Sequence, residues 1–152
     1  AALKTFNIVF TVSPVRHIKD GLHENNLSKS VLHLAIKNIT EQNKNCYYFP
    51  AYELVIDELR DYRFFKDDLT HPSKMAINYV WEKFLLTYCN EDTKALINEI
   101  HKIKQAVNHK PFNFKSEEHQ QFINHHLKKM AQLATKYPFL NFKEEQEKIG
   151  KV

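Results

Sequence analysis

The chain has 152 residues, about the length of one domain. Hydrophobic residues at 43% and charged residues at 26% exclude wholesale disorder, and no stretch approaches the ~18–20 apolar residues of a membrane span. A net charge of +4, from 22 Lys and Arg against 18 Asp and Glu, is too mild for a nucleic-acid face. The first residues lack a basic start followed by an apolar run, so no signal peptide is expected. Cys46 and Cys89 cannot build a disulfide framework or a four-thiolate zinc site, and a reducing, cytoplasmic setting is the simplest expectation. There are only 2 glycines, and the chain begins Ala-Ala without Met, which together suggest a piece of something longer.

Residues 5–12, TFNIVFTV, are β-branched and aromatic without a helical period, and predict a strand buried on both faces. The polar run 13–26, with Pro14 and Gly21, predicts a long loop. Asn26 is placed to cap a helix over 27–43, with Leu27, Val31, Leu34, Ala35 and Ile39 along one side. Residues 46–52, CYYFPAY, predict a second strand whose end is weakened by Pro50. Strand, helix, strand is a βαβ unit, and the loop 13–26 then lies at the carboxyl end of its first strand, where open parallel sheets bind ligands.

A short helix over 52–60 is followed by irregular chain to 71. Pro72 suits the first turn of a helix to about 87, with Ala76, Val80 and Phe84 beside Ile77, Trp81 and Leu85. Beyond 90 the period is purely helical. Asp92 is read as the cap of a helix to about 107 (Leu96, Ile100, Ile103, Val107), Pro111 as a break, and Ser116 as the cap of a helix to about 136 (Ile123, Leu127, Met130, Ala134, Tyr137). These stripes predict the core seam of an antiparallel helical hairpin, with a last short helix or frayed tail after Pro138. The organisation expected is an α/β part, 1–90, and a helical extension, 91–152. Two parallel strands bury too little surface to stand alone, so further strands are expected from outside this stretch, either from an N-terminal part of the same polypeptide or from another chain.

The best catalytic candidate is Asp68-Leu69-Thr70-His71 before Pro72. A histidine general base needs one ring nitrogen free for the nucleophile's proton and the other held by an acceptor that fixes the tautomer. An Asp three residues earlier in a tight turn supplies that acceptor. The spacing alone is a weak signal, because Asp20-Gly21-Leu22-His23 matches it too. The plainer reading of Asp68 is a carboxylate favoured by a helix N-terminus. In the loop 13–26, Arg16 and Asn25 are candidates to bind an anionic or carbonyl oxygen, against the plainer reading of a solvated loop with Asx turns. Arg60, Asp61 and Arg63 read as a salt-bridged surface. The pairs His17/His23 and His125/His126 do not make convincing metal sites, since adjacent helical residues point about 100° apart.

The blocks FTVSPVRHIKDGLHENNLSKSVLHLAI (10–36) and YFPAYELVIDELRDYRFFKDDLTHPSKMAINYVWEKF (48–84), with the helical tail, closely resemble the C-terminal half of GSCFA-domain proteins. That family looks related to the SGNH (GDSL-like) hydrolases. The resemblance implies an α/β fold: the C-terminal part of a flavodoxin-like parallel sheet followed by an α-helical hairpin. It implies His71 as general base and Asp68 as its orienting acid, with Arg16 and His17 as substrate-lining residues; Asn25 is a further substrate-binding candidate from its place in the loop. No Gly-Ser-Cys-Phe-Ala motif occurs here and no glycine precedes a serine, so the nucleophile and its oxyanion-hole donors are expected in an upstream part of the protein. The function expected is that of the C-terminal part of an ester hydrolase acting on an acyl or acetyl ester of a small molecule or glycan. No metal or organic cofactor, nucleic acid or membrane is expected. The alternatives are a non-catalytic ligand- or partner-binding module on the same scaffold, and a docking role for the helical stripes beyond 90.

Overall fold

The computed structural model describes residues 6–109 and 116–149. Thr5, at the start of the first expected strand, and Pro111, the expected break between helices, lie outside them. The fold is mixed α/β: a two-stranded parallel sheet and six α-helices among the described residues. The chain divides into two compact units, residues 1–89 and 90–152.

In the first unit, β1 (Ile8–Phe10) pairs in parallel with β2 (Cys46–Tyr48), Val9 lying opposite Tyr47. The Ile8 amide donates to the Asn45 carbonyl at 2.8 Å and the Phe49 amide to the Phe10 carbonyl at 2.8 Å. By the alternation of a ladder, Val9 and Thr11 then turn their backbone groups to the other edge of β1, which pairs with no strand among the described residues. The strand is shorter and less covered than its residues predict. Ile8 is exposed, and the fully buried residue is Val12, beyond the strand's end.

Helix α1 (Leu22–Gln42) starts five residues before the expected 27. Gly21 makes this possible: its φ of 95° lies where L side chains are strained, and it turns the loop directly into the helix. Asn26 is therefore not the cap but lies inside the helix, past its first turn. The apolar side of the helix is open, with Val31 64% and Leu34 62% exposed and Leu27 and Ile39 also exposed. Periodicity was sufficient to make the helix amphipathic, but among the described residues nothing covers that side.

After β2, the chain turns at Pro50 into α2 (Ala51–Glu53), continued as a π-helical turn over Leu54–Leu59 that Arg60 closes in the left-handed region, φ 50°. Phe49, Ala51 and Leu54 form a buried cluster with Val9 of β1 and with Tyr79, Val80 and Phe84 of α3 (Lys74–Tyr88). Ser73 caps α3, accepting from the Ala76 amide, so Pro72 stands one residue before the cap rather than in the first turn, in an antiparallel bridge with Phe65. Of the two stripes expected on α3, Ala76 is fully buried and Val80 and Phe84 partly, whereas Ile77 and Trp81 are half exposed.

The second unit holds α4 (Glu91–Val107), α5 (Glu117–Lys136) and α6 (Lys143–Ile149). Asn90 caps α4 by accepting from the Thr93 amide, placing Asp92 in the first turn rather than at the cap; Ser116 caps α5 as its position predicts. Glu99 pairs with Lys129, and the His109 ring, just past the end of α4, lies tilted against Phe122 at 5.5 Å, so the later part of α4 meets earlier residues of α5 and the two helices run antiparallel. Ile103 and Met130, at 1% and 0% exposure, centre a core that α6 completes with Ile149, together with Phe142. The stripes are thus covered within the unit by a third helix. No helix among the described residues is long and apolar enough to cross a membrane.

Candidate active site

The segment 65–72 is a closed loop. The Lys66 amide donates to the His71 carbonyl at 2.8 Å and the Ser73 amide to the Phe64 carbonyl at 2.7 Å. Between them the chain reverses, the Leu69 amide donating to the Lys66 carbonyl at 2.8 Å, and Leu69 adopts a left-handed φ of 53°. That reversal turns the next two amides back onto Asp68. Oδ1 of Asp68 accepts from the amides of Thr70 and His71, both at 2.9 Å. Oδ2 lies 2.8 Å from Nδ1 of His71. The Thr70 hydroxyl, on a buried side chain, lies 3.0 Å from the same nitrogen.

These bonds hold the Asp68 carboxyl well below the usual carboxylate range. The His71 amide contributes most, then the Thr70 amide, then the His71 ring. Asp68 is therefore an ionised acceptor at neutral pH. An ionised acceptor at Nδ1 favours the tautomer with its proton there and leaves Nε2 as a lone pair. Nothing among the described residues bonds to Nε2 of His71. Both side chains are about half exposed, so substrate-sized molecules can reach them.

His71 lines a cleft of about 500 Å³ whose walls are almost wholly apolar. Val9 of β1 and Thr11 just beyond it, with Phe49 and Val55, form one side, and Ala76, Val80, Trp81 and Phe84 of α3 the other. Trp81 stacks on Phe84 at 5.6 Å, and Phe84 meets Phe49 edge to face at 5.3 Å. Trp81, expected in a core stripe, lines this cleft instead, which no single stretch of sequence signals. Its signal was present only in combination, as an apolar strand and a two-stripe helix flanking the same turn.

Of the loop residues singled out as substrate-lining, Arg16 reaches the turn. Its backbone amide donates to the Thr70 carbonyl at 3.1 Å, its guanidinium to the Leu69 carbonyl at 2.9 Å, and the guanidinium carbon sits 4.4 Å over the Phe65 ring. His17 and Asn25 are engaged elsewhere. The Asn25 side chain, 5% exposed, accepts from the His17 amide at 2.8 Å and so fastens the loop to the first turn of α1. The His17 ring lies 3.6 Å from Asp20, so the second D-x-x-H does not form its own pair. Among the described residues no three His, Cys, Asp or Glu side chains converge as a metal site, and Cys46 and Cys89 are unbridged.

Two family models match the chain: the GSCFA family over residues 1–84, and the GSCFA domain protein C-terminal domain over 100–151. The first alone spans more than half of the chain. The chain belongs to the GSCFA family. No curated protein and no solved structure matches it. In this GSCFA chain the first match ends within α3 and so contains the Asp68–His71 turn and its cleft, while the second falls within the helical unit.

Proposed function

We propose that this chain is the C-terminal part of an SGNH-like ester hydrolase with a flavodoxin-like sheet, and that it contributes the proton-handling pair, His71 and Asp68. The supporting observation is the 2.8 Å contact of Asp68 with Nδ1, beside a cleft, with Nε2 unengaged among the described residues. In this reading Nε2 takes the proton of a serine or cysteine nucleophile as it attacks the ester carbonyl. Asp68 stabilises the imidazolium, which then protonates the departing alcohol. Water repeats the sequence to release the acid. The nucleophile comes from a segment beyond the described residues, carried on a strand that pairs with the open edge of β1. That reading is favoured by the backbone groups of Val9 and Thr11, which have no ladder partner among the described residues, and by the apolar side of α1 that no described residue covers. The substrate is an acyl or acetyl ester of a small molecule or glycan. The unbridged cysteines fit a reducing, cytoplasmic setting.

The test is His71→Ala in the complete polypeptide, assayed on short acyl esters. Turnover is expected to fall by about 10³-fold or more, since removing a member of such a unit collapses its contribution. The fold should persist, because the His71 side chain is half exposed. Undiminished turnover removes His71 from the mechanism.

A further inference from the structure

We infer that Arg16 is a positioning residue for the Asp68–His71 pair: it grips, by their carbonyl ends, the same two peptide groups whose N–H ends hold the Asp68 carboxylate. The peptide joining Leu69 to Thr70 accepts from the Arg16 guanidinium at 2.9 Å and donates from its N–H to Asp68 Oδ1 at 2.9 Å. The peptide joining Thr70 to His71 accepts from the Arg16 amide at 3.1 Å and donates to the same Oδ1 at 2.9 Å. Because a peptide group is planar and stiff, fixing its oxygen fixes the direction of its N–H. Two such groups converge on one oxygen and leave Oδ2 a single orientation, toward Nδ1 of His71.

This arrangement needs an outside grip. Leu69 is in the left-handed region, which an L side chain disfavours, and an exposed turn of this kind relaxes unless something opposes it. Arg16 opposes it from the loop that leaves β1, with its guanidinium seated on Phe65 at the base of the turn. A lysine could place a charge near the Leu69 carbonyl but could not lie flat on the ring while donating from its edge. The role differs from binding a substrate oxygen, the one that loop position suggests.

The inference rests on the reading of His71 as the proton-handling group, but its test requires no turnover. The complete polypeptide is labelled with ¹⁵N-histidine, and His71 is assigned by comparison with His71→Gln. The ¹⁵N shifts of the neutral ring report the ratio of Nδ1–H to Nε2–H tautomers. Asp68→Asn serves as the reference in which the lock is absent. Arg16→Ala is expected to lower the ratio by about tenfold, the scale of one lost hydrogen bond to a charged group. Arg16→Lys, which keeps the charge and one donor and covers the case of an unfolded alanine variant, is expected to recover part of it. A ratio within about twofold of wild type in Arg16→Ala, or in Arg16→Lys where the alanine variant does not fold, alongside a clear change in Asp68→Asn, overturns the inference. Failure of the esterase reading is separate, appearing as turnover in His71→Ala.

Discussion

Replacing Asp68 by Asn isolates the tautomer from the turn. Oδ1 of Asp68 carries the two main-chain bonds, and the amide oxygen of an asparagine can keep both. Only Oδ2, 2.8 Å from Nδ1, is exchanged for an NH₂ group. Two donors cannot face each other, so the ring must present Nδ1 as an acceptor and carry its proton on Nε2. In the proposed mechanism the nitrogen that receives the nucleophile's proton is then already occupied, and no carboxylate remains to stabilise the imidazolium. A substitution of this kind in a triad-type site lowers kcat by about 10⁴-fold while geometry persists. The expectation for the complete polypeptide is a loss of about 10³–10⁴-fold in kcat on a short acyl ester, with KM little changed and an unaltered circular dichroism spectrum. The pH profile carries a second signature. Asp68 has a depressed pKa, so whatever stability it gives the turn is whole above the unfolded carboxylate's value near about 4 and is lost as pH falls toward the folded value. The stability difference between wild type and Asp68→Asn should therefore shrink in acid and be constant at neutrality. Activity within about tenfold of wild type would show that Asp68 does not orient His71 during turnover.

Leu69→Gly should stabilise the first unit by about 0.5–1 kcal/mol, because the left-handed cost disappears while glycine gives back part of the gain through the unfolded chain; a lower thermal midpoint would refute the strain argument. In the helical unit, Glu99 is held down to about 2 by its bond to Lys129 at 2.6 Å and then by Lys102 at 3.0 Å. The stability it contributes is present above the unfolded glutamate's value of about 4.3 and is lost as pH falls through about 2. Acid unfolding followed by helical circular dichroism should show wild type losing its advantage over Glu99→Gln in that window, and parallel acid curves would show that the pair adds nothing.

The D-x-x-H turn was legible because its contact is local: Asp68 and the imidazole it meets at 2.8 Å lie three residues apart, and no tertiary contact is needed to see them. What it lacked in the sequence was its support. Leu69 gives no sign of a left-handed backbone, and Arg16 stands 53 residues away along the chain from the carbonyl it holds. The helices beyond 90 were legible for a related reason, since Ile103 and Met130 fall on regular stripes and the cover for them follows within the same unit. Helix α1 shows the converse. Its Leu27, Val31, Leu34 and Ile39 repeat as a core helix does, yet periodicity encodes that a face is apolar and not what lies against it. The setting of Asn25 depends on where the helix begins: with a start at 27 it is a loop side chain, and with the start at Leu22 it is a buried anchor.

The crowded oxygen of Asp68 also makes the turn selective between the two acidic amino acids. A glutamate there would have the same charge but one more methylene, and the added length would carry the carboxylate past either the paired amides or the imidazole. Reach, not charge, decides which acid this turn accepts, so an aspartate-to-glutamate exchange at this place should behave as a radical replacement although it looks like a mild one.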